Sequence, residues 1–162
     1  MKKIVHTISY LEFDSIEELS PTDRELLKLA GQAAITSHAP YSHYHVGAAV
    51  RLANGKVFTG SNQENMAFPS GLCAERVAVF YAAATCPDIP METLAITARA
   101  DFFEVCDPVP PCGMCRQAII EYEFKFNRKI RLILSGEKGK IFLIEGMDTL
   151  LPLTFHEKGL IK

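Results

Sequence analysis

Leu94-Ala95-Ile96-Thr97-Ala98-Arg99-Ala100, then Gly113-Met114-Cys115-Arg116-Gln117-Ala118-Ile119-Ile120-Glu121-Tyr122, then Ile130-Arg131-Leu132-Ile133-Leu134: the architecture of the chain turns on this succession. The outer runs are short and largely apolar and read as strands, while Ala118, Ile119 and Tyr122 recur at the spacing of one helix face. A strand–helix–strand step favours a right-handed crossover between parallel strands. Upstream, Val46–Leu52 and Lys56–Gly60 flank Ala53-Asn54-Gly55, a hairpin signal in which both central turn residues are expected at positive φ. A helix is expected to start at Ser20, a natural N-cap followed by Pro21 and by Asp23 at the positive end of the dipole. Its buried stripe is Leu26, Leu27, Ala30, Ala33 and Ala34. Cys73–Thr85 reads as a further helix, stopped by Cys86-Pro87, and Ile141–Ile144 as a last strand. The expected fold is therefore α/β, a three-layer α/β/α sandwich on a mixed five-stranded sheet with helices on both faces. We expect an N-terminal extension over 1–20, with Ile4–Phe13 a candidate edge strand, and a single domain over 21–162.

The chain has 162 residues, the size of one domain, with 48% apolar and 22% charged residues, the balance of a folded globular protein. Seventeen basic against nineteen acidic side chains give a net charge of −2. A long nucleic acid is thereby disfavoured as partner, since it would call for a basic surplus, and a small ligand is expected instead. No stretch approaches the ~18 apolar residues of a membrane span. Lys2 and Lys3 begin the chain as a signal peptide would, but His6, Thr7, Ser9, Glu12 and Asp14 interrupt any apolar run, and a cytoplasmic location is expected. Five unevenly spaced cysteines make a poor disulfide framework.

Three of them have a better account. Cys73-Ala74-Glu75-Arg76 opens one expected helix, and Pro111-Cys112-Gly113-Met114-Cys115-Arg116-Gln117 opens another. The free N–H groups and dipole of a helix start favour the thiolate, the form that binds metal. Cys73, Cys112 and Cys115 supply three ligands, which leaves the open position of a catalytic zinc rather than the closed set of a structural one. Glu75, two residues from Cys73, can stand beside the metal without ligating it and exchange protons with water and substrate there. Arg76 and Arg116 adjoin the constellation, where a guanidinium hydrogen-bonded to a thiolate withdraws charge from an over-anionic site. Two alternatives stay open: a Cys-x-x-Cys redox pair, and a closed zinc site completed by His43, His45 or His156. Cys86 and Cys106 have no partner at ligand spacing and read as bystanders.

The constellation resembles the cytidine deaminases, in particular the small homotetrameric kind with a three-cysteine zinc site. The resemblance runs from about Leu26 to Phe155. It implies zinc as cofactor and hydrolytic deamination of cytidine and deoxycytidine, with Glu75 as the catalytic acid/base. Tyr41-Ser42-His43-Tyr44-His45-Val46-Gly47-Ala48-Ala49 is similar to the opening of the family's first strand, which implies that Tyr44 packs on the pyrimidine. Asn62-Gln63-Glu64-Asn65 resembles the ribose clamp, with Asn62 and Glu64 on the 3′-hydroxyl. Ala74 would lend backbone groups to the pyrimidine edge. Leu151-Pro152-Leu153-Thr154-Phe155 resembles the segment whose Phe reaches a neighbouring subunit's site in a homotetramer. The resemblance implies neither a nucleic-acid polymer nor a membrane as partner. The chain departs from the family at Pro110, where many relatives have Ser, and at Met66, where a small residue is common; Met114 is shared with blasticidin deaminases, which keeps another small amine open as substrate.

Overall fold

The computed structural model describes residues 1–157; the last five residues of the domain expected over 21–162 lie outside them. Six strands form one mixed sheet: β1 (Leu11–Phe13), β2 (Tyr44–Leu52), β3 (Val57–Ser61), β4 (Met91–Ala100), β5 (Arg131–Ser135) and β6 (Ile141–Glu145), in the spatial order β1-β6-β5-β4-β2-β3. The β4–β5 pair is parallel, as the strand–helix–strand stretch requires, and every other pairing is antiparallel. The five strands read from the sequence are all present, and β1 adds a sixth at the edge of β6. It is shorter than Ile4–Phe13, because only Leu11 to Phe13 find partners, in Leu143 to Ile141.

Strand alternation sorts the core into two layers. Ala48, Val50, Leu52, Leu94, Ile96, Leu132, Leu134 and Ile144 face α2 (Ala74–Thr85) and α3 (Gly113–Phe126). Ala49, Ala95 and Ile133 face α1 (Pro21–Ala34), whose Leu26, Leu27 and Ala30 complete the second layer. Ser20 caps α1 as expected, its Oγ accepting from the Asp23 N–H at 3.2 Å. Phe13, Ile16 and Leu19 of the N-terminal segment pack into the same layer. Two glycines set the spacing of the sandwich. A Cβ on Gly47 would stand 1.9 Å from the Ala30 carbonyl oxygen of α1, and one on Gly60 2.5 Å from the Ala78 nitrogen of α2.

Two local expectations are corrected. In the hairpin turn only Gly55 has positive φ (82°). The Gly55 N–H meets the Leu52 carbonyl and the Leu52 N–H meets the Lys56 carbonyl, so the turn is a three-residue loop with a glycine bulge. Helix α3 runs on past Tyr122 to Phe126 and ends at Asn127, which takes the left-handed conformation at φ 48°. Its extra turn is held by buried Glu123, whose Oε1 accepts the N–H groups of Ile130 at 2.8 Å and Met147 at 2.9 Å.

Asp23 is a second buried carboxylate. It accepts from Arg51 Nη2 at 3.1 Å and Arg131 Nη2 at 2.6 Å, tying the start of α1 to β2 and β5. Burial opposes ionisation, but Arg131, Ser20 and Arg51 together hold the carboxyl below its usual range. A lowered carboxylate pKa stabilises the fold above the unfolded value, and the contribution is lost as the pH falls through the folded one. Asp23→Ala removes the acceptor shared by two guanidinium groups, which keep Thr93 and Glu145 as partners, and is expected to cost about 2 kcal/mol at pH 7. Urea titrations should show the gap between the native protein and the variant closing below about pH 4, as the native carboxylate itself becomes protonated.

Candidate active site

Helices α2 and α3 lie side by side on one face of the sheet and begin at the same end, with Cys73 and Cys112 as their N-cap residues and Cys115 in the first turn of α3. The three sulfurs converge: Cys73 Sγ lies 3.8 Å from Cys112 Sγ, which lies 3.5 Å from Cys115 Sγ. A tetrahedral ion bonded to sulfur at ~2.3 Å spaces its thiolates about 3.8 Å apart, so the donors are already set for one. Cys115 is buried, Cys73 half-buried and Cys112 exposed, which leaves the cluster closed behind and open in front. Among the described residues no histidine or carboxylate completes the set. His156 packs on Phe124 instead, with ring centroids 4.0 Å apart. Cys86 ends α2 and Cys106 is exposed in the segment after β4, both apart from the cluster.

The electrostatics point the same way. A hydrogen bond from Cys115, followed by Cys112 and Arg76, outweighs burial and brings the Cys73 thiol down to about 5. The hydrogen bond to Cys73, with burial, pushes the Cys115 thiol far above its ordinary value. Three thiols this close cannot all ionise by themselves, and a divalent cation is the group that allows it. Arg76 keeps its charge against burial through its hydrogen bond to Cys73 and the charge of Cys115. One guanidinium nitrogen, Nη2, donates to the Gly71 carbonyl at 3.4 Å, and its buried Nε has no partner among the described residues. Arg116 has different work from the one expected. Its Nε donates to the Pro111 carbonyl and its Nη1 to the Leu150 carbonyl, both at 2.8 Å, clamping the loop before Cys112 to the C-terminal segment.

Above the sulfurs opens a cleft of about 770 Å³, lined among others by Tyr44, Asn62, Glu64, Cys73, Glu75 and Cys112. Glu75 is only 4% exposed, and burial, reinforced by the Cys73 thiolate, lifts its pKa to about 6. Asn62 behaves as a strand residue by proxy: its Oδ1 accepts from the Val46 N–H at 2.8 Å, and its Nδ2 donates to the Tyr44 carbonyl at 2.9 Å. Glu64 accepts the N–H groups of Tyr41 at 2.9 Å and Ser42 at 3.3 Å, both through Oε2. Ala74 is fully buried between the cleft-lining Cys73 and Glu75. Phe155 stands outside the cleft, 75% exposed, with its carbonyl accepting from Gln117 Nε2 at 2.9 Å. The structure thus gathers every expected site residue except Phe155 in or against the cleft. Sequence reading missed much of the cleft's apolar wall, Phe68, Leu72 and Val109, because Phe68 opens a single 3-10 turn (Phe68–Ser70) and the other two lie outside helices and strands, where no periodicity marks them.

A family model described as the cytidine and deoxycytidylate deaminase zinc-binding region matches residues 20–127. The chain belongs to this family. It is 34% identical over 136 residues to a cytidine deaminase of Sporosarcina psychrophila, covering 84% of this chain and 93% of that protein. With a cytidine deaminase of Halalkalibacterium halodurans the identity is 41% over 100 residues, 61% of this chain and 71% of the relative. A crystal structure of cytidine deaminase from Burkholderia pseudomallei superposes with a TM-score of 0.71 at 34% identity, over 81% of this chain and 97% of that one. Family membership explains why the three cysteines converge as they do: they lie within the zinc-binding region. The closed structural site and the redox pair lose their basis, since the cluster has three donors and fits an ion.

Proposed function

We propose that the protein deaminates cytidine and deoxycytidine hydrolytically, giving uridine or deoxyuridine and ammonia. One observation carries the reading. Three thiol donors with an open side share, with a buried carboxyl group, the floor of a cleft that has room for a nucleoside, inside the matched zinc-binding region. Cys73, Cys112 and Cys115 would hold a zinc ion, which would supply the Lewis acidity that lets water lose a proton near neutral pH. Glu75 receives that proton on its carboxylate and delivers it to ring nitrogen N3, which makes C4 electrophilic; the oxygen of the same water adds to C4, its remaining proton passes through Glu75 to the amino group, and the C4–N bond breaks as ammonia departs and the C4 carbonyl forms. Arg76 draws charge from the thiolates and keeps the site from becoming too anionic.

The remaining residues orient the substrate. Tyr44 forms the aromatic wall for the pyrimidine, with the backbone at Ala74 along its edge. Glu64 has one oxygen committed to backbone N–H groups, leaving Oε1 to accept the ribose 3′-hydroxyl; Asn62 keeps one Nδ2 hydrogen for the same group. A polar pair built for a hydroxyl, Asn62 buried and Glu64 half-buried, discriminates against ligands that lack it. The exposed Phe155, held by Gln117 at the C-terminal segment, suits insertion into the cleft of a neighbouring copy in a homotetramer. Among the described residues no helix is long and apolar enough to cross a membrane. The need for reduced thiols fits a cytoplasmic setting.

The test is an absorbance assay on cytidine, deoxycytidine, cytosine and CMP. Both nucleosides should be turned over and cytosine left intact. Stripping the metal with a chelator should abolish turnover, and zinc should restore it. Turnover of free cytosine at the rate of cytidine would refute the ribose clamp, and inertness of both nucleosides with zinc bound would refute the substrate.

A further inference from the structure

Tyr44 is the first residue of β2, the position where a strand ordinarily frays, yet it is anchored from three directions. Alternation sends the side chains of Tyr44 and His45 to opposite faces of the sheet, so that Tyr44 lines the cleft while His45 lies behind it. The His45 side chain is 14% exposed and bridges two segments: its Nε2 lies 3.1 Å from Asp101 Oδ1, and its Nδ1 lies 2.6 Å from Ser37 Oγ. An acceptor carboxylate places a proton on Nε2, so in the neutral ring Nδ1 accepts the Ser37 hydroxyl. On the other side of Tyr44, His43 Nδ1 lies 3.4 Å from Asp101 Oδ2, and the His43 carbonyl accepts the Asp101 N–H at 3.1 Å. His43 holds a φ of 53°, an uncommon conformation outside glycine that this grip sustains. The same turn sends Phe103 onto Tyr44, with ring centroids 6.3 Å apart and planes 23° from parallel, and Phe102 onto His43 at 4.9 Å.

We propose that Asp101 is a positioning residue for the substrate's aromatic wall: it grips the histidines on both sides of Tyr44 and delivers Phe103 as the backing of its ring. Asp101 does not line the cleft and acts through Tyr44, so its contribution is to binding geometry shared by substrate and transition state. This rests on the deaminase reading for its kinetic consequence, though not for its structural one. Arg99 Nη1, 3.5 Å from Asp101 Oδ1, is the remaining charged group on the carboxylate.

The experiment is a double-mutant cycle on the zinc-loaded protein with cytidine, using Asp101→Ala and Tyr44→Ala, joined by amide hydrogen exchange across residues 43–46. Asp101→Ala is expected to raise KM roughly tenfold with kcat within about twofold. Added to Tyr44→Ala it should change KM by less than about twofold, because its route to the substrate is already gone. Asp101→Asn, whose Oδ1 still accepts from His45, should recover most of the lost affinity. Exchange at residues 43–46 should accelerate in Asp101→Ala. Independent, multiplicative effects of the two substitutions would overturn the proposal, as would a fall in kcat with KM intact. Should the unaltered protein leave cytidine untouched, the functional reading fails by itself, and exchange decides the positioning: acceleration upholds it, and unchanged protection overturns it.

Discussion

Glu75→Ala is expected to leave a folded, zinc-loaded protein with almost no turnover. The carboxyl group sits at the floor of the cleft, two residues beyond Cys73, and is nearly inaccessible to solvent. Truncation removes no thiolate, so metal content measured by atomic absorption should match that of the unaltered protein. Among the described residues it removes the only acidic side chain that shares the cleft floor with the sulfurs; Glu64, the other carboxylate lining the cleft, is occupied with the N–H groups of Tyr41 and Ser42. Both proton transfers lose their carrier, and the rate of the chemical step should fall by at least about 10³-fold, within the span attributed to positioned acid–base groups. Glu75→Gln keeps the volume and hydrogen-bonding reach of the side chain but cannot take up a proton, so it should be as inactive as the alanine variant. Substantial turnover in either variant would remove Glu75 from its role and leave the metal site standing.

The largest structural effect is expected at Gly47. A methyl group there meets the Ala30 carbonyl oxygen at 1.9 Å and the Ala34 nitrogen at 2.6 Å, which are backbone atoms of a packed helix with no rotamer to yield. Helix α1 would have to lift from β2, uncovering the layer of Leu26, Leu27 and Ala30. The cost is expected to exceed about 4 kcal/mol, a large part of the ~5–15 kcal/mol that stabilises a typical domain. Gly47→Ala should therefore unfold at much lower urea concentration or fail to accumulate. Gly31→Ala is the informative contrast. Its Cβ would meet only Thr97 Cγ2, at an ordinary 3.9 Å, and it lies within α1, where alanine is favoured over glycine by ~0.5–1 kcal/mol. A native-like Gly47→Ala protein would mean that the helix and sheet can separate at little cost.

The three-cysteine cluster and the carboxyl group of Glu75 beside it were legible as a group because they stand at short spacings, and the helix starts that carry them announce themselves by their neighbours. The parallel β4–β5 pair was legible for a related reason: a strand, a helix and a strand leave few topologies. Features decided by distant partners were not. Helix α3 outruns its apolar pattern because Glu123, which reads as a surface residue, satisfies the N–H groups of Ile130 and Met147, 7 and 24 positions further along the chain. Arg116 beside Cys115 looks like a companion of the thiolates, and nothing local reveals that the carbonyls of Pro111 and Leu150 claim it. Asn62 reads as a ligand for substrate, yet its amide also substitutes for a missing strand neighbour of β2. The grip of Asp101 on the two histidines joins residues more than fifty positions apart in the chain, a pairing that no periodicity encodes.

Strand β1 gives the molecule a colloidal property as well as a stabilising one. Without it the border of the sheet would be β6, Ile141-Phe142-Leu143-Ile144-Glu145, a row of unpaired N–H and carbonyl groups set among apolar side chains, and such a border recruits strands from other molecules. Leu11–Phe13 takes up that border and presents a much shorter one, with Glu12 and Asp14 paired to Lys140 beside it. A foreign strand approaching there meets three residues of backbone and a cluster of solvated charge. The segment that precedes residues 20–127 thus leaves 3 residues of backbone open to such recruitment where β6 alone would leave 5.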